Sequence, residues 1–166
     1  AHELQANRLT LILHDARHVA FTFYLDYGLA LQAALAPRDS YAGFVARCAT
    51  MASTDFAQEL ARAQASFEAG TVLFIDGHPV TIVNWRWPPA EQVQAQLREQ
   101  VMRAITAPQD HGHEEPLEAH AEAVAARGID AVRVRLPKEF GRVLVVAYRP
   151  SQRWVGPQAL SPPIRF

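Results

Sequence analysis

Thr71 to Trp87 reads TVLFIDGHPVTIVNWRW, and its centre, Asp76-Gly77, decides how the chain is organised. Two β-rich runs flank this dipeptide, and Asp-Gly supplies the positive φ angles of a tight hairpin turn. His78-Pro79 follows, which leaves room for a slightly longer loop. On the second arm Val80 and Ile82, with Trp85 and Trp87, supply a buried face. The alternation slips near Val83-Asn84, as at a β-bulge or a strand covered on both faces. A lone hairpin cannot bury its apolar side, so strands elsewhere in the chain must cover it.

Those strands stand at both ends. Arg8 to His14 (RLTLILH) puts Leu9, Leu11 and Leu13 on one face, and His18 to Asp26 (HVAFTFYLD) does the same with Val19, Phe21, Phe23 and Leu25. The period is two, and Asp15-Ala16-Arg17 joins the runs as a second hairpin. Ala131 to Leu136, with Val132, Val134 and Leu136 inward, and Arg142 to Tyr148 are further strands. Between Leu117 and Ala126 alanine composition favours helix, but the alternation with Glu118, His120 and Glu122 favours strand, and the period decides for strand.

Between the hairpins the period changes to that of a helix. Gly28 to Leu35 ends at Pro37. Asp39 or Ser40 can cap a second helix with Tyr41, Phe44, Val45, Cys48 and Met51 inward. Ser53 or Thr54 can cap a third with Phe56, Leu60, Ala63 and Phe67 inward, closed by Gly70. Pro88-Pro89 opens a fourth whose stripe is Val93, Leu97, Val101, Ala104 and Ile105. The expected fold is therefore α+β: an antiparallel immunoglobulin-like β-sandwich of about seven strands. Helical insertions fall at about 28–69 and 89–107, in one domain over 1–150 followed by a proline-rich tail, 151–166. A single antiparallel sheet with helices on one face is the alternative.

The chain of 166 residues is 49% apolar and 20% charged, with formal net charge −1. One domain of this size buries a real core, and there is no basic excess to grip nucleic acid. Lys138 is the single lysine. No apolar run approaches the ~18 residues of a membrane helix. The sequence begins Ala1-His2-Glu3, and small residues flank signal-peptidase sites, so a periplasmic or secreted protein is expected.

Histidine is the enriched functional type. His111-Gly112-His113 lies in the polar run QDHGHEEP, and His120 shares a strand face with Glu118 and Glu122. His111, His113 and His120 with one carboxylate would give three nitrogen donors and one oxygen, a set that suits Zn(II) or Cu(II). His2 is a second candidate, because its ring, its amide nitrogen and a free α-amine can chelate Cu(II). His14 and His18 flank the first turn, where they can face each other, and His78 follows Asp-Gly in a turn. Cys48 is placed as a small buried hydrophobe. Ser40, Ser53, Ser66, Ser151 and Ser161 lack nucleophile-elbow glycines, and no phosphate-binding glycine loop is present. Trp85-Arg86-Trp87 reads as an aromatic girdle sealing one end of the sandwich, with stacking on a planar or sugar ligand as the alternative.

At Ala1-His2-Glu3-Leu4, followed by Arg8-Leu9-Thr10-Leu11, the chain resembles exported β-rich domains of bacteria. Among these are the extracytoplasmic segments that precede HupE/UreJ-type membrane proteins, associated with nickel and other metals, and CopC-type copper carriers, which begin at a histidine and fold as β-sandwiches. The resemblance implies an exported location and nickel or copper as ligand, with His2 as the residue it carries over. With the zinc that the histidine and carboxylate donors also suit, the expected ions are copper, zinc or nickel. The chain departs from both groups in its helical insertions and in having only Met51 and Met102. The expected function is that of an exported binding or accessory domain without catalytic activity. A structural domain of a cell-envelope assembly, and an enzyme of unfamiliar kind, are the alternatives.

Overall fold

The computed structural model describes residues 7–106, 116–150, 154–160 and 162–163. The chain is α+β, with eight strands in two sheets and four α-helices among the described residues. Strands β1 (Asn7–Leu13) and β2 (His18–Leu25) form the expected first hairpin, with Leu9 opposite Phe23, Leu11 opposite Phe21 and Leu13 opposite Val19. The Asp15 carboxylate accepts from the backbone N–H of Arg17 and of His18, at 2.7 and 2.9 Å, which fixes the turn.

Helices α1 (Tyr27–Leu35), α2 (Tyr41–Thr50) and α3 (Ser53–Gly70) follow. Asp26 and Ser40 cap the first two through their side chains. Helix α3 has Ala52 at its N-cap and no side-chain cap, so neither Ser53 nor Thr54 takes the expected role. Its inward residues are the expected Phe56, Leu60, Ala63 and Phe67. In α4 (Ala90–Thr106) Val93 and Leu97 are buried, but Ala104 and Ile105 are exposed. The last turns of α4 run past the core they were expected to cover.

The central hairpin holds a surprise in its second arm. Strands β3 (Val72–Ile75) and β4 (His78–Val80) pair around Asp76 and Gly77, whose φ angles of 48° and 84° make the turn two residues long. No longer loop is needed. The arm then changes sheet. β4 belongs to a three-stranded sheet of order β4-β3-β7, where β7 is Val132–Arg135. β5 (Val83–Arg86) belongs to a five-stranded sheet of order β5-β6-β2-β1-β8, where β6 is Leu117–Val124 and β8 is Val143–Tyr148. Asn84 at φ 55° and a shift in register between Val83 and Arg86 mark a bulge inside β5. The slip in alternation at Val83-Asn84 is this bulge. The chain changes sheet just before it, at Thr81-Ile82, which is why eight strands stand where about seven were expected.

β6 is a strand, as its period requires. Its buried alanines Ala119, Ala121 and Ala123 stand opposite Phe23, Phe21 and Val19 of β2. Small residues on one strand leave room for large ones on the next. β8 pairs with β1 in parallel, the one parallel pairing among the described strands. The helices and the three-stranded sheet cover the inner face of the five-stranded sheet, and one buried cluster runs through all of them.

Aromatic rings link these parts. Phe23 stacks on Trp85 and meets Phe140, which in turn packs on Phe67 of α3. Trp85 and Trp87 stack at 5.5 Å, and the Trp87 indole N–H donates to Glu68 at 2.7 Å. The indoles therefore join the sheet to α3. No helix among the described residues is long and apolar enough to cross a membrane.

Candidate functional site

The outer face of the five-stranded sheet is where chemistry-bearing side chains meet. One rung across it reads Arg86, His120, Thr22, Thr10 and Val146, from β5 to β8. Glu118 and Glu122 sit two residues to either side of His120 on β6, since alternate residues share a face. The face is thus charged at its β5–β6 side and apolar at β8.

His120 is partly exposed. Its Nδ1 lies 3.4 Å from the Thr22 hydroxyl, and its Nε2 lies 3.5 Å from a Glu118 carboxylate oxygen. A tetrahedral ion with ligand bonds of about 2.0–2.1 Å holds neighbouring donor atoms about 3.3 Å apart. The His120–Glu118 pair is close to that spacing. A ligating imidazole is usually held by a hydrogen bond at its other nitrogen, and Thr22 stands where that bond is made. Beside this pair lies a groove of about 900 Å³ between α4 and the sheet, with Arg86, Trp87, Gln92, Pro116, Glu118 and His120 in its lining.

A second pair sits one step away. His14 and His18 do face each other, with ring centroids 5.7 Å apart. Nε2 of His18 is 3.8 Å from a Glu122 oxygen and makes no hydrogen bond among the described residues. That same Glu122 oxygen accepts from the Asn84 amide at 3.0 Å. The Asn84 amide holds the Glu122 carboxyl below the usual glutamate range; burial opposes it, and the nearby His18, Arg86 and His14 each add a smaller lowering effect. A depressed carboxyl stabilises the fold above the pH where an unfolded-chain glutamate titrates, and the contribution is lost as pH falls through the folded value. Asn84→Gly keeps the positive φ at no steric cost and removes the amide. The Glu122 titration midpoint is expected to rise toward the ordinary range in this variant, as read by carbon NMR of the carboxyl. An unmoved midpoint would show that the amide does not set it.

Of the expected metal residues, His120 lies on this face, while His2, His111 and His113 fall outside the described residues. Among the described residues no group of three His, Cys, Asp or Glu side chains is arranged to hold a metal ion. His78 opens β4 directly after the turn and not within it, its Nδ1 3.1 Å from the Asp76 carbonyl. Cys48 is buried, and burial pushes its thiol up. Burial likewise pushes up the Tyr27 phenol, whose oxygen accepts from Gln64 at 3.0 Å. Both groups keep their protons at neutral pH.

Arg86, Thr22 and Asn84 escaped the reading of the sequence as site residues. Their partners come from other strands, although Asn84 did carry a signal, because asparagine tolerates the left-handed backbone found where alternation breaks. No protein-family model, no curated protein and no solved structure matches this chain.

Proposed function

We propose that this chain is a non-catalytic binding or accessory domain that handles a transition metal at the outer face of its five-stranded sheet. The observation that carries this reading is the 3.5 Å spacing of His120 Nε2 and the Glu118 carboxylate on an open face, with Thr22 at the other ring nitrogen. The pair supplies one nitrogen and one oxygen. His111 and His113, expected as the further nitrogen donors, enter the chain shortly before β6, and His2 with a free amine is the separate candidate for Cu(II). Copper, zinc and nickel are the ions that such donors suit. A periplasmic or secreted location belongs to this reading and rests on the resemblance of Ala1–Leu4 and Arg8–Leu11 to exported domains.

Titration with Cu(II), Zn(II) and Ni(II) at neutral pH, followed by bound metal and melting temperature, tests the proposal. One equivalent of a single metal is expected, with affinity weakened at least tenfold by His120→Ala and by His111→Ala/His113→Ala. Loss only on blocking the amine would move the site to His2. Binding no tighter than about micromolar, roughly −8 kcal/mol, would remove the metal reading.

Trp154 and Leu160 favour a second reading, a structural or interaction domain of an envelope assembly, because both side chains are almost fully exposed. An immunoglobulin-like sandwich is the finer form of the fold we propose. It is supported by the change of sheet between Val80 and Val83 and by Leu73 and Ile75 sharing one buried cluster with Leu9, Val19 and Phe21. An experimental structure with a different strand order would replace it.

A further inference from the structure

The two edges of the five-stranded sheet are unequal. At one edge β5 is four residues long, irregular in register, bent at Asn84 and followed by Pro88-Pro89. Short length, bends and proline are how proteins blunt an edge against further pairing. At the other edge β8 reads VLVVAY over six residues, with no charge, proline or bulge. Among the described residues no strand pairs with its far side. Both its faces are open as well: Leu144 is 58% exposed, Val145 42% and Tyr148 50%. The described residues that follow, 154–160, are themselves exposed.

We propose that β8 pairs antiparallel with β8 of a second copy of this chain, joining two five-stranded sheets into one across a two-fold axis. This inference stands apart from the metal reading. A two-fold perpendicular to the sheet keeps outer face next to outer face, so residues of like parity must oppose each other. With Val145 facing Val145 of the second copy, Leu144 faces Val146 and Arg142 faces Tyr148. The outer row is then self-complementary, as a two-fold contact requires. Each terminal cation meets an aromatic ring, an attractive pairing, instead of another cation. The other nearby cation, Arg149, is turned back into its own chain, where it donates to the Ile129 carbonyl at 2.7 Å. A different protein contributing an extended apolar segment lacks this internal argument.

Sedimentation equilibrium of the full chain from about 1 µM to about 200 µM decides between these. A mass approaching twice 18.4 kDa is expected at the upper end. Leu144→Lys/Val146→Lys places charge at two solvent-exposed positions and is expected to give a monomer with an unchanged far-ultraviolet spectrum. Val145→Cys is expected to form a disulfide-linked dimer on mild oxidation, because opposed Cα atoms in an antiparallel pair lie about 4.5–5.5 Å apart, within the span that a disulfide bridges. A monomer at every concentration, a dimer that survives the lysine variant, or a monomer whose β8 captures an unrelated extended apolar peptide would each overturn the proposal.

Discussion

Phe23→Ala is expected to lower the unfolding free energy by about 3–5 kcal/mol. Phe23 is fully buried near the middle of β2, opposite Leu9 on one side and Ala119 on the other. Its ring lies 6.1 Å from Phe21, 5.7 Å from Trp85 and 6.1 Å from Phe140. Those three rings come from β2, from β5 and from the short 3-10 turn Lys138–Phe140, so one side chain joins three parts of the chain. Alanine would leave a cavity that Ala119 cannot fill. Each kcal/mol moves the melting temperature of a chain this long by about 2–4 °C, so a fall of roughly 10 °C is expected. Phe23→Leu fills most of the space and should cost about half as much. Urea unfolding of the two variants gives both values, and a loss in Phe23→Ala below about 1 kcal/mol would mean that this ring does not hold the core.

Gln94→Leu is expected to cost about 2–4 kcal/mol although it makes the interior more apolar. The Gln94 amide is buried and donates to the carbonyls of Cys48 and Met51, at 3.0 and 2.9 Å. These carbonyls lie at the end of α2, where no further helical N–H exists to satisfy them. Arg98 adds a bond to the Ala49 carbonyl at 2.9 Å and places a cation at the negative end of that helix. Helix α4 thus caps α2 from outside. Leucine has nearly the volume of glutamine but no donor, so the loss would come from the two orphaned carbonyls and not from a cavity. Chemical denaturation measures the cost, and faster hydrogen exchange in the last turn of α2 would locate it. Gln94→Glu separates the two causes: it keeps the size, loses the donors at neutral pH, and is expected to recover part of the stability as acid protonates the carboxyl.

The elements with a single open face were legible in the sequence. Leu9, Leu11, Leu13 and Val19, Phe21, Phe23, Leu25 announced their strands because a period of two has one physical meaning. The alanines of β6 did so against their own helix propensity, because burial of one face outweighs propensity. Neighbours were less legible. Nothing local to Asn7–Leu13 says that Val143–Tyr148 lies beside it in parallel, because periodicity reports which face is buried and not what stands at the edge. Gln94 was passed over because a polar letter beside an apolar stripe reads as surface, whereas its position three residues before Leu97 put it on the inner flank. At the candidate site, the shared face of Glu118, His120 and Glu122 was legible from parity alone. The Thr22 and Arg86 partners of His120 depended on which strands flank β6, and the sequence carries no such address.

The order of strands in the five-stranded sheet also sets a timetable. β1 and β2 precede the other described elements in the chain, yet they occupy the middle of the sheet, and their outer neighbours β6 and β8 come after all four helices. The first hairpin can form by itself within microseconds. Helices α1 to α3 follow directly to cover its leucine and phenylalanine face, but its two edges must wait for β6 and β8. Folds dominated by such distant pairings are slow to close. The nascent chain therefore carries a hairpin with both edges unpaired for most of its synthesis, which makes Asn7–Leu25 the segment most in need of a chaperone.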